Sequence, residues 1–149
     1  MSLSDLGYDA LPRFAAFSLT SPIVMAGLSK SVPQPTEITL HQTSRLLEIS
    51  YADGKTFRLP CEFLRVFSPS AEVRGHGPGQ EVLQTGKREV EITEVEPVGQ
   101  YAIQLRFSDG HDTGIYSWDL LYDYGMSQDE MWQQYLQRLQ EAGASRDKV

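Results

Sequence analysis

The stretch YAIQLRFSDGHDTGIYSW, residues Tyr101–Trp118, decides the fold. Its first half alternates large apolar residues with small or polar ones. This period of two is typical of a strand with one buried face; the apolar set is Tyr101, Ile103, Leu105 and Phe107. Asp109-Gly110 follows, a dipeptide that favours a tight hairpin turn. The stretch therefore predicts two antiparallel strands, the second formed by HDTGIYSW.

The first hairpin of the chain has the same pattern and lies in RLLEISYADGKTFRLP, residues 45–60, so Tyr101–Trp118 is the second hairpin. Leu47, Ile49 and Tyr51 share one face, and the turn is again Asp-Gly. The segment EITLH adds a further strand in phase, with Ile38 and Leu40 on the same face. We predict a three-stranded meander with one apolar side and one side toward water.

Helical patterns fill the remaining chain. CEFLRVFS has apolar residues at helical spacing, and WDLLYDYG follows a capping serine, Ser117. REVEITEVEP predicts a strand in which Val95 falls out of phase, which indicates either a bulge or the end of the buried face. A last helix, Ser127–Ala142, starts with a capping box of Ser127 and Glu130 and ends at Gly143. The predicted fold class is α+β: a small, largely antiparallel β-sheet of hairpins with a short helix and C-terminal helices.

The pattern divides the chain into three parts. Residues 1–35 lack periodicity and end in a proline- and serine-rich stretch, so we predict a flexible leader and linker. Residues 36–125 form the folded domain. Residues 126–149 form the C-terminal helix and a loose tail. The apolar stripe of that helix follows a short link, which favours docking on its own domain and a monomer over a dimer.

Composition excludes several classes of function. The 149 residues carry a formal net charge of −7, which disfavours nucleic-acid binding. A single cysteine, Cys61, excludes an internal disulfide and a cysteine-rich metal site. No apolar run is long enough to span a membrane, and the N-terminal stretch lacks the pattern of a secretory signal. We expect a cytoplasmic protein with neither nucleic acid nor membrane as its partner.

The loop SPSAEVRGHGPGQ, residues 68–80, does not match a known catalytic or phosphate-binding motif. Its glycines are not closed by the Lys-Ser/Thr pair of a phosphate loop, and they do not have the spacing of a dinucleotide loop. G-x-S-x-G, the serine hydrolase motif, is absent as well. We interpret it as a turn-rich surface loop whose glycines permit unusual backbone angles.

The three histidines, His41, His76 and His111, do not form a metal-binding pattern. No pair has the i, i+4 spacing of helical ligands, and no His-x-Asp of a facial triad is present. The sequence on its own predicts no metal ligands and no catalytic set.

Thr36 to Gly125 resembles the gamma-butyrobetaine hydroxylase-like N-terminal domain family, a bacterial domain of unknown function. The resemblance is carried by PTEITLHQTSRLLEISYADGKTFRLPCEFLRVFSPSAEVRGHGPGQ, by EVEPVGQYAIQLRFSDGHDTGIYSWDLLYDYG and by their spacing. In eukaryotic carnitine-pathway hydroxylases such a domain precedes an iron- and 2-oxoglutarate-dependent oxygenase domain. It holds zinc there through a Cys-Pro-Cys-x-x-Cys loop and the histidine of an Asp-Gly-His turn.

The resemblance implies that this chain has lost the zinc ligands of those relatives. The cysteine positions correspond to Ser68, Ser70 and Val73, and only His111 remains. Serine hydroxyls are neutral and hard, and valine has no donor atom, so we predict no zinc and no other cofactor. Only residues 126–149 follow the domain, too few for an oxygenase, so we also expect no enzyme activity.

Three functions remain open at this point. The first is a non-catalytic interaction or accessory module with an unknown protein partner. The resemblance links it to iron–sulfur or oxygenase machinery, since domains of the family are joined to iron–sulfur carrier ATPases. The second is a small-molecule or metal-binding domain using His111 and the 68–80 loop, and the third is an enzyme with an unfamiliar site. The predicted interaction surface is the loop with the second hairpin: Arg74, His76, His111, Asp112 and Tyr116.

Overall fold

The first sheet is a three-stranded antiparallel meander. The computed structural model describes residues 33–75 and 79–148, so residues 1–32 of the predicted leader lie outside the described residues. Ile49 of the central strand lies opposite Ile38 on one side and Phe57 on the other. The predicted meander is thus confirmed, with strands in the order β1 Pro35–His41, β2 Leu46–Tyr51 and β3 Thr56–Pro60.

The second sheet is also antiparallel and three-stranded, with strands in sequence order: β4 Ile92–Val98, β5 Ala102–Phe107 and β6 Ile115–Ser117. Its first pair shifts register between Ile92 and Glu94. This irregularity confirms the predicted bulge, because it turns the out-of-phase Val95 inward, where only 4% of it is exposed. The strand predicted directly after the Asp109-Gly110 turn is shorter than expected, since residues 111–114 are irregular.

Four helices complete the described structure: α1 Cys61–Val66, α2 Ala71–Arg74, α3 Trp118–Met126 and α4 Gln128–Ala142. The cap of α3 is confirmed, since the Ser117 hydroxyl accepts a hydrogen bond from the Leu120 amide at 3.1 Å. The end of α4 at Gly143 is confirmed as well, with a left-handed φ of 66°. The short α2 lies within the predicted irregular loop and was not expected.

The capping box predicted for α4 does not form. Ser127 makes no side-chain cap hydrogen bond, and its amide instead donates to the Asp123 carbonyl of α3 at 3.0 Å. The residue therefore serves as the end of one helix and the start of the next. Its backbone angles, φ −111° and ψ 14°, are not those of an extended cap residue.

One core joins both sheets to α1 and α3. The apolar faces of the six strands meet the buried side of α1, including Phe63 and Leu64, and the fully buried Leu121. A smaller cluster, Val66, Tyr135 and Leu139, holds α4 against the rest. Two small antiparallel sheets with short and C-terminal helices make the fold class α+β, as predicted. None of the helices in the described ranges has the length and apolar character to cross a bilayer.

The C-terminal tail is not loose, contrary to the sequence-based expectation. The amide of Gly86 donates to the Ser145 carbonyl, and the amide of Arg88 donates to the Arg146 carbonyl, each at 3.0 Å. The Arg146 guanidinium also forms two hydrogen bonds with the buried Glu62 carboxylate. The polar composition of the tail suggested mobility, but its charged side chains have specific partners on the domain.

Candidate functional site

A histidine-centred cluster joins the loop after α1, helix α2 and the segment between β5 and β6. His111 Nε2 lies 2.9 Å from the Ser68 hydroxyl, and His111 Nδ1 lies 3.0 Å from a carboxylate oxygen of Glu72. A carboxylate accepts hydrogen bonds only, so the Nδ1–H donates to Glu72. Nε2 is then free to accept the hydroxyl proton of Ser68. The arrangement has the connectivity of a serine–histidine–carboxylate triad.

The Ser-Pro-Ser sequence builds the loop side of this cluster. The Ser70 hydroxyl caps α2 by accepting from the Glu72 amide at 3.1 Å, and it also lies 2.7 Å from the Thr113 hydroxyl. The Ser70 amide donates to the Ser68 hydroxyl oxygen at 3.2 Å. Across the cluster, Gly114 leaves no room for a side chain, because a Cβ there would lie 2.4 Å from the Ser68 hydroxyl oxygen.

The cluster is sealed rather than reactive. Ser68 is 1% exposed and His111 is 6% exposed. The serine oxygen is bonded to the imidazole and the Ser70 amide and lies close to Gly114, so a substrate carbonyl carbon would have to displace these groups to reach it. The nearby amide donates to the serine itself rather than to the position of an oxyanion. The geometry therefore favours a structural role for the triad-like connection over nucleophilic catalysis.

Asp109 lies next to His111 and pairs with two cationic side chains. The carboxylate accepts hydrogen bonds from the guanidinium of Arg65 at 2.9 Å and from the ammonium of Lys87 at 2.6 Å. Burial alone would raise the pKa of Asp109. The hydrogen bonds from Lys87, from the His111 amide and from Arg65 outweigh burial and lower that pKa to about 2. Asp109 is therefore ionised at neutral pH and fixes the turn that carries His111.

The pKa of His111 is lowered from its ordinary value. Burial is the largest cause, followed by the positive charge of Arg65, while Glu72 and Asp109 oppose both. The imidazole is therefore neutral at pH 7. In the neutral ring, Nδ1–H donates to Glu72 and Nε2 accepts from the Ser68 hydroxyl, so both hydrogen bonds are satisfied.

The donor set at the family zinc position does not fit zinc. Ser68 and His111 do meet, but Ser70 is engaged with Thr113, and Val73 is buried with no donor atom. No three His, Cys, Asp or Glu side chains within residues 33–75 and 79–148 are grouped to hold a metal ion. Cys61 is buried elsewhere, and burial raises the pKa of its thiol to about 12. The serine–histidine hydrogen bond occupies the place where the resemblance implies a metal.

Chelation is expected to leave the melting temperature unchanged, because metal binding would contribute nothing to folding. Thermal unfolding of untagged protein with and without EDTA measures this, alongside zinc analysis of the same sample. Near-stoichiometric zinc that is lost together with stability in His111→Ala would contradict the prediction.

The structure separates the residues of the predicted interaction surface. Arg74 is exposed, and Asp112 is partly exposed and lies 3.7 Å from the Arg106 guanidinium. His111 and Tyr116 are buried, which corrects the exposure that the sequence suggested. The Tyr116 hydroxyl donates to the Leu64 carbonyl of α1 at 2.6 Å, so this side chain lies in the core rather than on a binding surface. His76 lies outside the described residues.

An open groove beside Arg74 was missed by the sequence reasoning. It has a volume of about 880 Å³ and lies between residues 73–75 and 81–84 on one side and α4 on the other. The amide of Val82 donates to the Val73 carbonyl at 2.7 Å, and the Tyr135 hydroxyl donates to the Gln84 carbonyl at 2.8 Å. These bonds hold the segment that forms the wall. The available signal was the apolar pair Val82-Leu83 within an otherwise polar loop.

The groove combines apolar and cationic side chains. Its apolar lining includes Val66, Val73, Val82, Leu83 and Met131. Two arginines, Arg74 and Arg138, also line it, with Glu81 as the acidic member. The Val82 side chain is conspicuously open to solvent, since 52% of the residue is exposed. Such a surface can bury an apolar ligand group while pairing with an anion.

The comparisons with known proteins identify relatives of this chain. The family model described as gamma-butyrobetaine hydroxylase-like, N-terminal, matches residues 38–122. Two solved structures, each described as an NMR solution structure of the protein, are 49% identical with TM-scores of 0.69 and 0.70. They cover 78% and 83% of this chain, respectively, and 92% of their own chains.

A further relative is the crystal structure of a protein of unknown function from Acidithiobacillus ferrooxidans, assigned to the DUF971 family. It is 48% identical, with a TM-score of 0.50, and covers 59% of this chain and 88% of its own. Among curated proteins, none matches the chain. The family match spans more than half of the sequence and agrees with the structural relatives. The chain belongs to the gamma-butyrobetaine hydroxylase-like N-terminal domain family.

Proposed function

We propose that this chain is a non-catalytic protein-interaction module whose binding site is the groove between residues 73–75 and 81–84 on one side and α4 on the other. The observation that carries the proposal is the open apolar groove with Val82 half exposed at its wall. Exposed apolar surface in a concave site marks binding of another molecule. The predicted interaction surface contributes Arg74 to this site.

The side chains of the groove support binding rather than catalysis. Ser68 borders the groove but is sealed by its own hydrogen bonds, and the Tyr124 hydroxyl donates to the Phe67 carbonyl at 2.6 Å. Burial raises the pKa of Tyr124, so its phenol stays protonated at neutral pH. The Ser68 hydroxyl is bonded to His111, but with 1% of the residue exposed it is not an accessible nucleophile.

A binding site centred on His111 is less well supported. Both ring nitrogens already have partners, Ser68 and Glu72, and the residue is buried. A metal or small molecule would have to displace one of these bonds. The family resemblance makes iron–sulfur and oxygenase machineries the first places to seek the partner.

The proposal predicts that Val82→Asp weakens partner binding. A carboxylate buried in an apolar interface loses its hydration, so we expect binding at least about tenfold weaker. Ile115→Asp is the matched control, because Ile115 is exposed to a similar degree, 49%, and does not line the groove. Tagged wild-type and variant proteins are expressed in the native cell, and the captured partner is then purified and titrated against each.

The wild type and Ile115→Asp are expected to bind the same partner with equal affinity. Equal binding by Val82→Asp, with its fold confirmed by circular dichroism, would place the interaction elsewhere and contradict the proposal. Loss of binding in both variants would also contradict the proposal, because a change at Ile115 on β6, outside the groove, would then have the same effect as a change inside it.

A further inference from the structure

We infer that the groove binds a peptide segment of the partner in which carboxylates accompany apolar side chains, and that Arg74 and Arg138 pair with those carboxylates. The inference rests on the proposed function, because it names the chemistry of the partner at the same site.

The ion pairing of the arginines is the main support. Within residues 33–75 and 79–148, six arginines form ion pairs with carboxylates: Arg45, Arg58, Arg65, Arg88, Arg106 and Arg146. Arg74 and Arg138 are the two in those ranges without a carboxylate partner among the described residues, and both line the groove.

The acidic composition of the chain makes two arginines without carboxylate partners unexpected. The chain has 20 acidic and 13 basic residues, so carboxylates to neutralise a surface arginine are abundant. Two exposed guanidinium groups on one groove, with no carboxylate partner among the described residues, leave a local site for an anion in an acidic protein. Arginine also pairs with carboxylates through two parallel hydrogen bonds, which suits it to recognising an Asp, a Glu or a free C-terminus.

The apolar lining of the groove indicates that the ligand carries apolar side chains as well as carboxylates. Val73, Val82 and Leu83 come from the loop side and Met131 from α4, so a ligand in the groove contacts apolar groups on both walls. A volume of about 880 Å³ accommodates several side chains, and the groove is open to solvent. An extended or helical peptide can lie in such an open groove, with its apolar side chains inward and its carboxylates at the arginines.

Other anions fit this site less well. A nucleic acid presents a continuous row of phosphates and is repelled by a chain of net charge −7. Glu81, at the same groove, adds to that repulsion locally. A fatty acid shares the apolar-plus-carboxylate chemistry but is generally enclosed by its site, so laurate serves as the comparison ligand.

A random 12-residue peptide library displayed on phage, selected against the full chain, tests the inference. We expect enriched peptides to carry Asp or Glu near two or more apolar residues. For a synthetic peptide of the dominant sequence, changing its acidic residue to the amide is expected to weaken binding about tenfold. Arg74→Gln and Arg138→Gln should each weaken it about three- to tenfold. The control Arg58→Gln, on β3 and away from the groove, should leave affinity unchanged.

The outcomes distinguish this inference from the proposed function. A peptide whose binding needs Val82 but neither arginine would overturn the carboxylate chemistry and leave the interaction module intact. No enrichment, or binding that survives Val82→Asp, would contradict both. Laurate binding without peptide enrichment would replace the peptide by a small amphipathic anion and overturn the inference.

Discussion

Replacing His111 by alanine is expected to lower the free energy of unfolding by about 2–4 kcal/mol. The change removes a buried ring and leaves a cavity between the 68–72 segment and the second hairpin. It also removes the partners of the Ser68 hydroxyl and of one Glu72 oxygen. Ser68 is 1% exposed, so water does not readily replace the lost hydrogen bond. Urea denaturation at pH 7.5, with wild type and variant in parallel, measures the loss.

His41→Ala is the matched control for this experiment. His41 also contacts a carboxylate, with its Nε2 2.8 Å from Glu48, but it lies on the outer face of β1 with 17% of its side chain exposed. Such partly exposed pairs contribute about 0–1 kcal/mol. A loss at His111 no larger than that at His41 would contradict the role of His111 as the connector of the cluster.

The stability difference between the wild type and His111→Ala should depend on pH. The folded-state pKa of His111 lies below its unfolded value of 6.5, because burial and the Arg65 charge disfavour the imidazolium. As the pH falls below about 6.5, the unfolded chain therefore takes up a proton before the folded chain does, and wild-type stability decreases. The alanine variant lacks this titration. The difference between the two proteins should thus be largest above pH 7 and should narrow toward pH 5.

The fold was predictable because its strands and turns have local sequence patterns. The Asp-Gly turns and the period-two alternation fix both hairpins without reference to distant residues, and the out-of-phase Val95 even marks the bulge. The capping box at Ser127 failed because the same residue ends α3. A local motif cannot show that two helices share one residue.

The site was less predictable because its burial depends on contacts across the chain. His111 follows a turn, a position that suggests exposure, yet it is covered by the Ser68 loop 43 residues away. Tyr116 is also buried by a distant part of the chain, since its hydroxyl donates to the Leu64 carbonyl, 52 residues away. The groove likewise forms only when residues 73–75 and 81–84 meet α4. None of these three contacts has a period or motif that a single sequence displays.

The tail gives the second large expected effect: Arg146→Ala should reduce the free energy of unfolding by about 2–4 kcal/mol. The guanidinium donates to both oxygens of Glu62, from Nε at 2.8 Å and from Nη2 at 2.6 Å. The Glu62 side chain is 8% exposed, so removing its partner leaves an uncompensated buried charge. Arg146 also lies over the Trp132 ring, 5.2 Å from its centre, and that contact is lost as well.

Two comparisons separate the buried charge from a general effect of the tail. Arg88→Ala removes an exposed pair with Asp147, also in the tail segment, and should cost no more than about 1 kcal/mol. In a Glu62→Gln background the buried charge is gone, so adding Arg146→Ala should cost less than it does in the wild type. Urea denaturation of the four proteins of this cycle gives the coupling energy. Equal losses of unfolding free energy for Arg146→Ala and Arg88→Ala would contradict the prediction, and so would a cycle with no coupling energy. Either result would show that the Glu62–Arg146 pair does not stabilise the fold.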